Sequence, residues 1–196
     1  MKKHLAIAYI VLGCLYIFAC NDASNGDTDA KTGDTISTAD TLTNSAQSST
    51  PPDSATIMFM TKAASGGMME VQLGKVAQEQ GLSQRVKDFG AMMVRDHGKA
   101  NDELKSLASG KNVALSDSLM PDHKHHVIDL QKRKGAAFDK AYINMMVEDH
   151  QEDIKEFEKA SNNLSDGEIK AFATRTLPTL KTHLDSAKVI SKGKMK

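Results

Sequence analysis

The sequence has no tryptophan, and its two cysteines, Cys14 and Cys20, both lie within the first twenty residues. From residue 21 onward no thiol is left to form a disulfide or a thiolate metal site. Aromatic residues make up 5% of the chain and the formal net charge is zero, with basic and acidic residues interspersed. Nucleic-acid binding needs a concentrated basic face and planar groups for stacking, so no nucleic-acid partner is expected. Strand-like alternation is lacking, as are a glycine-rich phosphate loop after a strand and a Ser/His/Asp or Cys/His set with helical spacing. Turnover without a metal therefore finds no support.

What is present begins with a basic start, Met1-Lys2-Lys3-His4, and an apolar run over residues 5–19 that ends in Ile17-Phe18-Ala19-Cys20. This run is too short and wrongly flanked to span a membrane, and residues 1–19 read as a secretory signal. A small residue before Cys20 resembles the lipobox of a bacterial lipoprotein. That resemblance implies cleavage before Cys20, lipidation of Cys20 and attachment to the membrane through its acyl chains. Cys14 offers the same chemistry, but cleavage there would leave the apolar residues 15–19 on the mature chain. Residues 20–53 read as a linker rich in Ser, Thr, Asp and Gly, in which six acids face the single base Lys31. Such a segment cannot bury enough apolar surface to offset its ordering entropy, and as a flexible coil it would span roughly 30 Å.

Residues 54–196 carry helical periodicity almost throughout. Pro51-Pro52-Asp53 precedes a first helix, with Asp53 or Ser54 as its N-cap. Gly81 ends that helix and Ser83 opens a second, which Gly110-Lys111-Asn112 stops. Residues 116–134 form a crossover with a brief helix after Pro121. Gly135 leads into a third long helix broken at Asn162-Asn163, and Ser165-Asp166-Gly167-Glu168 signals a fourth, with Pro178 expected to kink it. The expected fold is all-α: a four-helix bundle of two helical hairpins joined by a short crossover helix.

One pattern occurs twice. Met92-Met93-Val94-Arg95-Asp96-His97 and Met145-Met146-Val147-Glu148-Asp149-His150 share Met-Met-Val-x-Asp-His, and Phe89 and Tyr142 extend the likeness upstream. Each long helix has one potential metal ligand inside its apolar stripe: Glu70, His97, His150 and His183. Three imidazoles and a carboxylate suit zinc, copper, iron or nickel better than magnesium or calcium. Asp96 and Asp149 are further ligands, acceptors for a ligating imidazole, or partners of Lys or Arg on a neighbouring helix. The alternative is a buried hydrogen-bonded network that fixes helix register and binds nothing. A shared site requires the four side chains to meet at mid-bundle.

Other clusters read more blandly. Met68, Met69, Met92, Met93, Met145 and Met146 would suit Cu(I), but methionines more often fill an irregular core. His123-Lys124-His125-His126 reads as a solvated face rather than a second metal patch. Gly66-Gly67 reads as a close helix-packing spot.

The stretches 59–71, 93–97, 138–142, 146–150 and 176–184, among them Phe138-Asp139-Lys140-Ala141-Tyr142 and Thr176-Leu177-Pro178-Thr179-Leu180-Lys181-Thr182-His183-Leu184, together resemble family 4142 of the domains of unknown function. These bacterial envelope proteins are often labelled outer-membrane proteins and grouped with ferritin-like bundles, and the resemblance covers residues 57–190. It implies a ferritin-like bundle at the outer membrane, in the periplasm or at the surface, and specifies no activity. Di-iron bundles use Glu-x-x-His pairs. Here Val94, Val147 and Leu180 stand three residues before the histidines, which argues against a di-iron centre and for metal storage, buffering or sensing.

Overall fold

The computed structural model describes residues 51–193. The segments expected as signal peptide and as linker up to residue 50, with the lipidation candidates Cys14 and Cys20, lie outside the described residues. Among the described residues, which fall within the unit of residues 46–196, there are five helices. They are α1 (Ser54–Gln80), α2 (Gln84–Gly110), α3 (Pro121–Gln131), α4 (Gly135–Asn163) and α5 (Gly167–Lys192). No strand occurs among the described residues, and no helix there is long and apolar enough to cross a membrane.

The helix ends follow from local chemistry. Asp53 caps α1 by accepting from the Thr56 amide at 2.7 Å, and also accepts from the Ser165 hydroxyl at 2.6 Å. Asp166 does the same for α5, with the amides of Glu168 and Ile169 as donors. Such caps satisfy amides that have no partner within the helix. At α2 Ser83 stands at the N-cap, as expected, but its side chain makes no capping bond. The buried carboxylate of Asp139 on α4 takes the amides of Leu82 and Ser83 instead, at 2.9 and 2.8 Å. A long-range carboxylate thus ties the first hairpin to α4.

α1 pairs with α2, and α4 with α5; α2 also packs on α5 and α1 on α4, while α3 lies against α1 and α4. Where α1 meets α2, the close approach is at Gly74 and Gly90 rather than at Gly66-Gly67 alone. A Cβ on Gly90 would lie 2.6 Å from the Gly74 carbonyl oxygen and 2.8 Å from the Ala77 Cβ. Backbone cannot give way there as a flexible side chain can. Gly90→Ala is expected to cost about 1–3 kcal/mol, read as a lower urea midpoint at unchanged slope. Gly67 has a softer neighbour, the Asn101 side chain.

The core falls into two apolar clusters. One gathers Met69, Leu73, Phe89, Met93, Phe138, Tyr142, Ile143 and Met146. The other gathers Phe59, Met60, Leu104, Phe157, Ile169, Phe172 and Leu180. Met69, Met93 and Met146 thus serve as core, the reading favoured for the methionines. On α2, α4 and α5 the turn between the two clusters carries His97, His150 and His183, and on α1 Glu70 follows Met69 at the edge of the first cluster.

Candidate metal centre

Helical spacing places the four residues at one level, and all are buried: Glu70 and His150 are 0% exposed, His183 1% and His97 6%. The three imidazole rings lie 5.1–5.5 Å apart, centroid to centroid. His97, His150 and His183 each offer a ring nitrogen within 4.8 Å of the others, and Glu70, Asp149 and His150 do likewise with their own ligand atoms. His183 turns inward although it follows Pro178, and α5 runs unbroken through that proline. All four residues singled out in the apolar stripes therefore meet.

Their contacts define a proton count. His150 Nδ1 lies 2.9 Å from the Met146 carbonyl oxygen, which can only accept, so this nitrogen carries the proton. His183 Nε2 lies 3.0 Å from Asp96 Oδ2. Asp96 is held in turn by the Arg95 guanidinium through bonds of 2.8 and 2.9 Å. Burial pushes the Asp96 carboxyl up, but the bonds from Arg95 and His183 outweigh it and keep it below the usual carboxylate range. An ionised Asp96 takes the proton of His183 on Nε2. Each neutral imidazole has then directed its single proton outward, to Met146 and to Asp96. The two inner nitrogens, His150 Nε2 and His183 Nδ1, face each other 3.2 Å apart with bare lone pairs.

Glu70 adds to the same point. Its Oε1 is 3.4 Å from His150 Nε2, and its Oε2 is 2.7 Å from His97 Nδ1. Close as they are, neither oxygen makes a hydrogen bond of acceptable alignment, and His97 Nε2 is also buried without a partner. Unsatisfied buried polar atoms are costly and rare in native proteins.

Electrostatics act in the same direction. Burial pushes the His97 imidazole down to about 4, against the opposing charges of Asp149 and Asp96. His183 is also pushed down to about 4 by burial, partly offset by its bond to Asp96. His150 is driven well below its ordinary value by burial and then by the other two histidines. Burial raises Glu70 far above the usual carboxylate range, and raises Asp149 too, with the Glu70 charge adding to it. Burial thus disfavours charge on both partners of the 2.7 Å approach of Glu70 to His97. Neutral imidazole is the form that ligates metals.

Asp96 and Asp149 occupy equivalent places in the repeat but differ in role. Of the roles open to Asp96, the structure shows that of acceptor for His183, and its Arg partner is the preceding residue of its own helix rather than one on a neighbouring helix. Asp149 forms no ion pair with Lys or Arg among the described residues and sits with Glu70 and His150 instead. Two participants escaped the sequence reading. Asp153 follows His150 by three residues, on the same helical face, and its carboxyl is raised well above its ordinary value by burial and by Glu70. Tyr142, read only as part of the repeat, has a buried hydroxyl without a partner, pushed up by burial and then by Glu70. The i, i+3 spacing would have revealed Asp153, whereas nothing in the sequence marks the Tyr142 hydroxyl as buried without a partner. His123 is also not simply solvated. Its Nδ1 lies 2.7 Å from the Ser65 hydroxyl, which ties α3 to α1, while His125 and His126 are exposed.

The fold and the cluster define an all-helical domain with a buried His/Glu group that could hold a metal ion. The chain belongs to the family described as Domain of unknown function (DUF4142), whose profile matches residues 41–190. Among solved structures it is similar to a DUF305 fragment from Deinococcus radiodurans, with a TM-score of 0.65 at 10% identity. That match covers 74% of this chain and 100% of the fragment, and at such identity it speaks to the fold alone. No curated protein matches the chain.

Proposed function

We propose that this chain is a lipid-anchored envelope protein, held to the outer membrane through Cys20, whose ferritin-like four-helix bundle binds one transition-metal ion among Glu70, His97, His150 and His183. The ring of packing from α1 to α2, α5, α4 and back supports the ferritin-like arrangement. The observation that carries the metal reading is the pair of inward lone pairs on His150 and His183, 3.2 Å apart, with Glu70 Oε1 3.4 Å from the former. Two ligands about 2.0–2.1 Å from a tetrahedral zinc stand roughly 3.3–3.4 Å apart, so the spacing is that of two corners of a coordination sphere. Nitrogen donors with a carboxylate suit zinc, copper, iron or nickel. The role proposed is storage, buffering or sensing.

A second reading rests on the bonds that run from His183 through Asp96 to the exposed Arg95. Such a relay would suit a structural or interaction module whose polar core only specifies packing. Elemental analysis separates the two. The chain, purified without a polyhistidine tag and incubated with divalent metals or Cu(I), is expected to retain about one metal ion and to lose it on combined His97→Leu and His150→Leu substitution. Absence of retained metal favours the structural module.

A further inference from the structure

The buried cluster is reached from two sides that differ in charge. Between α2 and α5 a cleft of about 400 Å³ leads to His97 and His183. Its lining acids each have a cation, Glu103 pairing with Arg175 and Asp96 with the neighbouring Arg95, and Lys99 adds a further positive charge. A second cleft of about 320 Å³ lies between α1, α3 and α4. Asp122, His126, Glu152 and Glu156 line its exposed part, and Asp149 and Asp153 its half-buried part. None of these five acids forms an ion pair with Lys or Arg among the described residues, and Lys62 is the lining residue of opposite charge.

The second cleft is continuous with the cluster through named side chains. Asp149 lines it and also offers a ligand atom within 4.8 Å of those of Glu70 and His150. Asp153 lines it and also walls an internal cavity of about 20 Å³ bounded by Glu70, His97 and Asn101. Such a cavity admits one water-sized body. Glu70, fully buried and with neither oxygen hydrogen-bonded, lines the same cavity.

Moving a hydrated cation into a buried site requires its water to be replaced stepwise by protein oxygen. A series of carboxyl groups running inward from solvent does this, and an acidic mouth raises the local cation concentration. We infer that the cleft between α1, α3 and α4 is the route by which divalent cations reach the buried cluster, with Asp153 handing them on to Glu70. This inference rests on the proposed metal reading. It also gives the exposed end of α3, with His126, a place in the function.

The test is stopped-flow uptake of Co(II) by the full chain at low ionic strength, followed by ligand-field absorption, with bound cobalt measured at equilibrium. The exposed pair Glu152→Gln/Glu156→Gln is expected to slow association about 3- to 10-fold, to leave saturating stoichiometry unchanged, and to lose most of its effect at high salt. Asp153→Asn should slow uptake as well. Glu103→Gln, in the opposite cleft, should leave the rate as it is. Unchanged uptake in the Glu152/Glu156 pair, or slowing by Glu103→Gln, would overturn the route while leaving the site standing. A wild-type chain that takes up no cobalt, zinc or copper at equilibrium would overturn both.

Discussion

Replacing Glu70 by leucine should raise the stability of the metal-free chain by about 1–4 kcal/mol and weaken metal binding by two orders of magnitude or more. The two effects have one cause. Glu70 is completely buried, and its oxygens approach His97 and His150 without making an aligned hydrogen bond. In the metal-free chain the carboxyl therefore loses its hydration and gains little in return. Leucine has a similar volume and removes that penalty. Were Glu70 a member of a satisfied structural network, its removal would strip a partner from buried imidazoles and destabilise the fold by about 3–5 kcal/mol. The sign of the change in urea midpoint thus separates a strained ligand from a structural strut. A site kept at the expense of stability is the usual mark of function.

The stability of the metal-free chain should peak on the acidic side of neutrality. Unfolded histidines titrate near 6.5 and unfolded carboxyls near 4. In the folded chain His97 and His183 are pushed down to about 4 and His150 also well below its ordinary value, while Glu70, Asp149 and Asp153 are pushed well up. Between about pH 4.5 and 6.5 the unfolded chain carries protons on its imidazoles and the folded chain on its raised carboxyls, so the two counts offset one another and stability changes little. Above about pH 6.5 the unfolded chain has released its imidazole protons while the folded carboxyls keep theirs. The folded state then binds more protons, and stability falls by about 1.4 kcal/mol per pH unit for each carboxyl still protonated. Below about pH 4.5 the unfolded carboxyls take up protons too, and stability falls again as pH drops towards 4. Saturating zinc displaces the proton of the ligating Glu70 and should make the alkaline decline shallower. Urea unfolding between about pH 4 and 9, with and without zinc, reads this directly. Stability that climbs through pH 8 in the metal-free chain would show that the buried carboxyls are ionised and paired.

The sequence disclosed the helices because each keeps its apolar stripe in register over many turns, with breaks at Gly81, Gly110 and Asn162-Asn163 where the periodicity stops. The same stripes exposed Glu70, His97, His150 and His183, since a polar residue there has no solvent to face. What stayed hidden depends on how helices meet. Asp139 caps α2 from α4 across 56 residues of chain, a pairing that no local signal encodes. Gly74 and Gly90 touch because of the crossing of α1 on α2, and sequence spacing carries no crossing angle. His123 seemed solvated because three polar neighbours follow it, yet α3 turns it onto Ser65. The opposite fates of Asp96 and Asp149 arise because the repeat fixes their helical phase and leaves the neighbouring helix unspecified.

X-ray absorption of the zinc-loaded full chain at the zinc edge addresses the buried site most directly. The expected spectrum has imidazole nitrogens from His97, His150 and His183 and a carboxylate oxygen from Glu70 at about 2.0–2.1 Å, with the imidazole scattering reduced by His150→Leu. A first coordination sphere of oxygen alone, or one that His150→Leu leaves unchanged, would contradict a metal site built on these histidines.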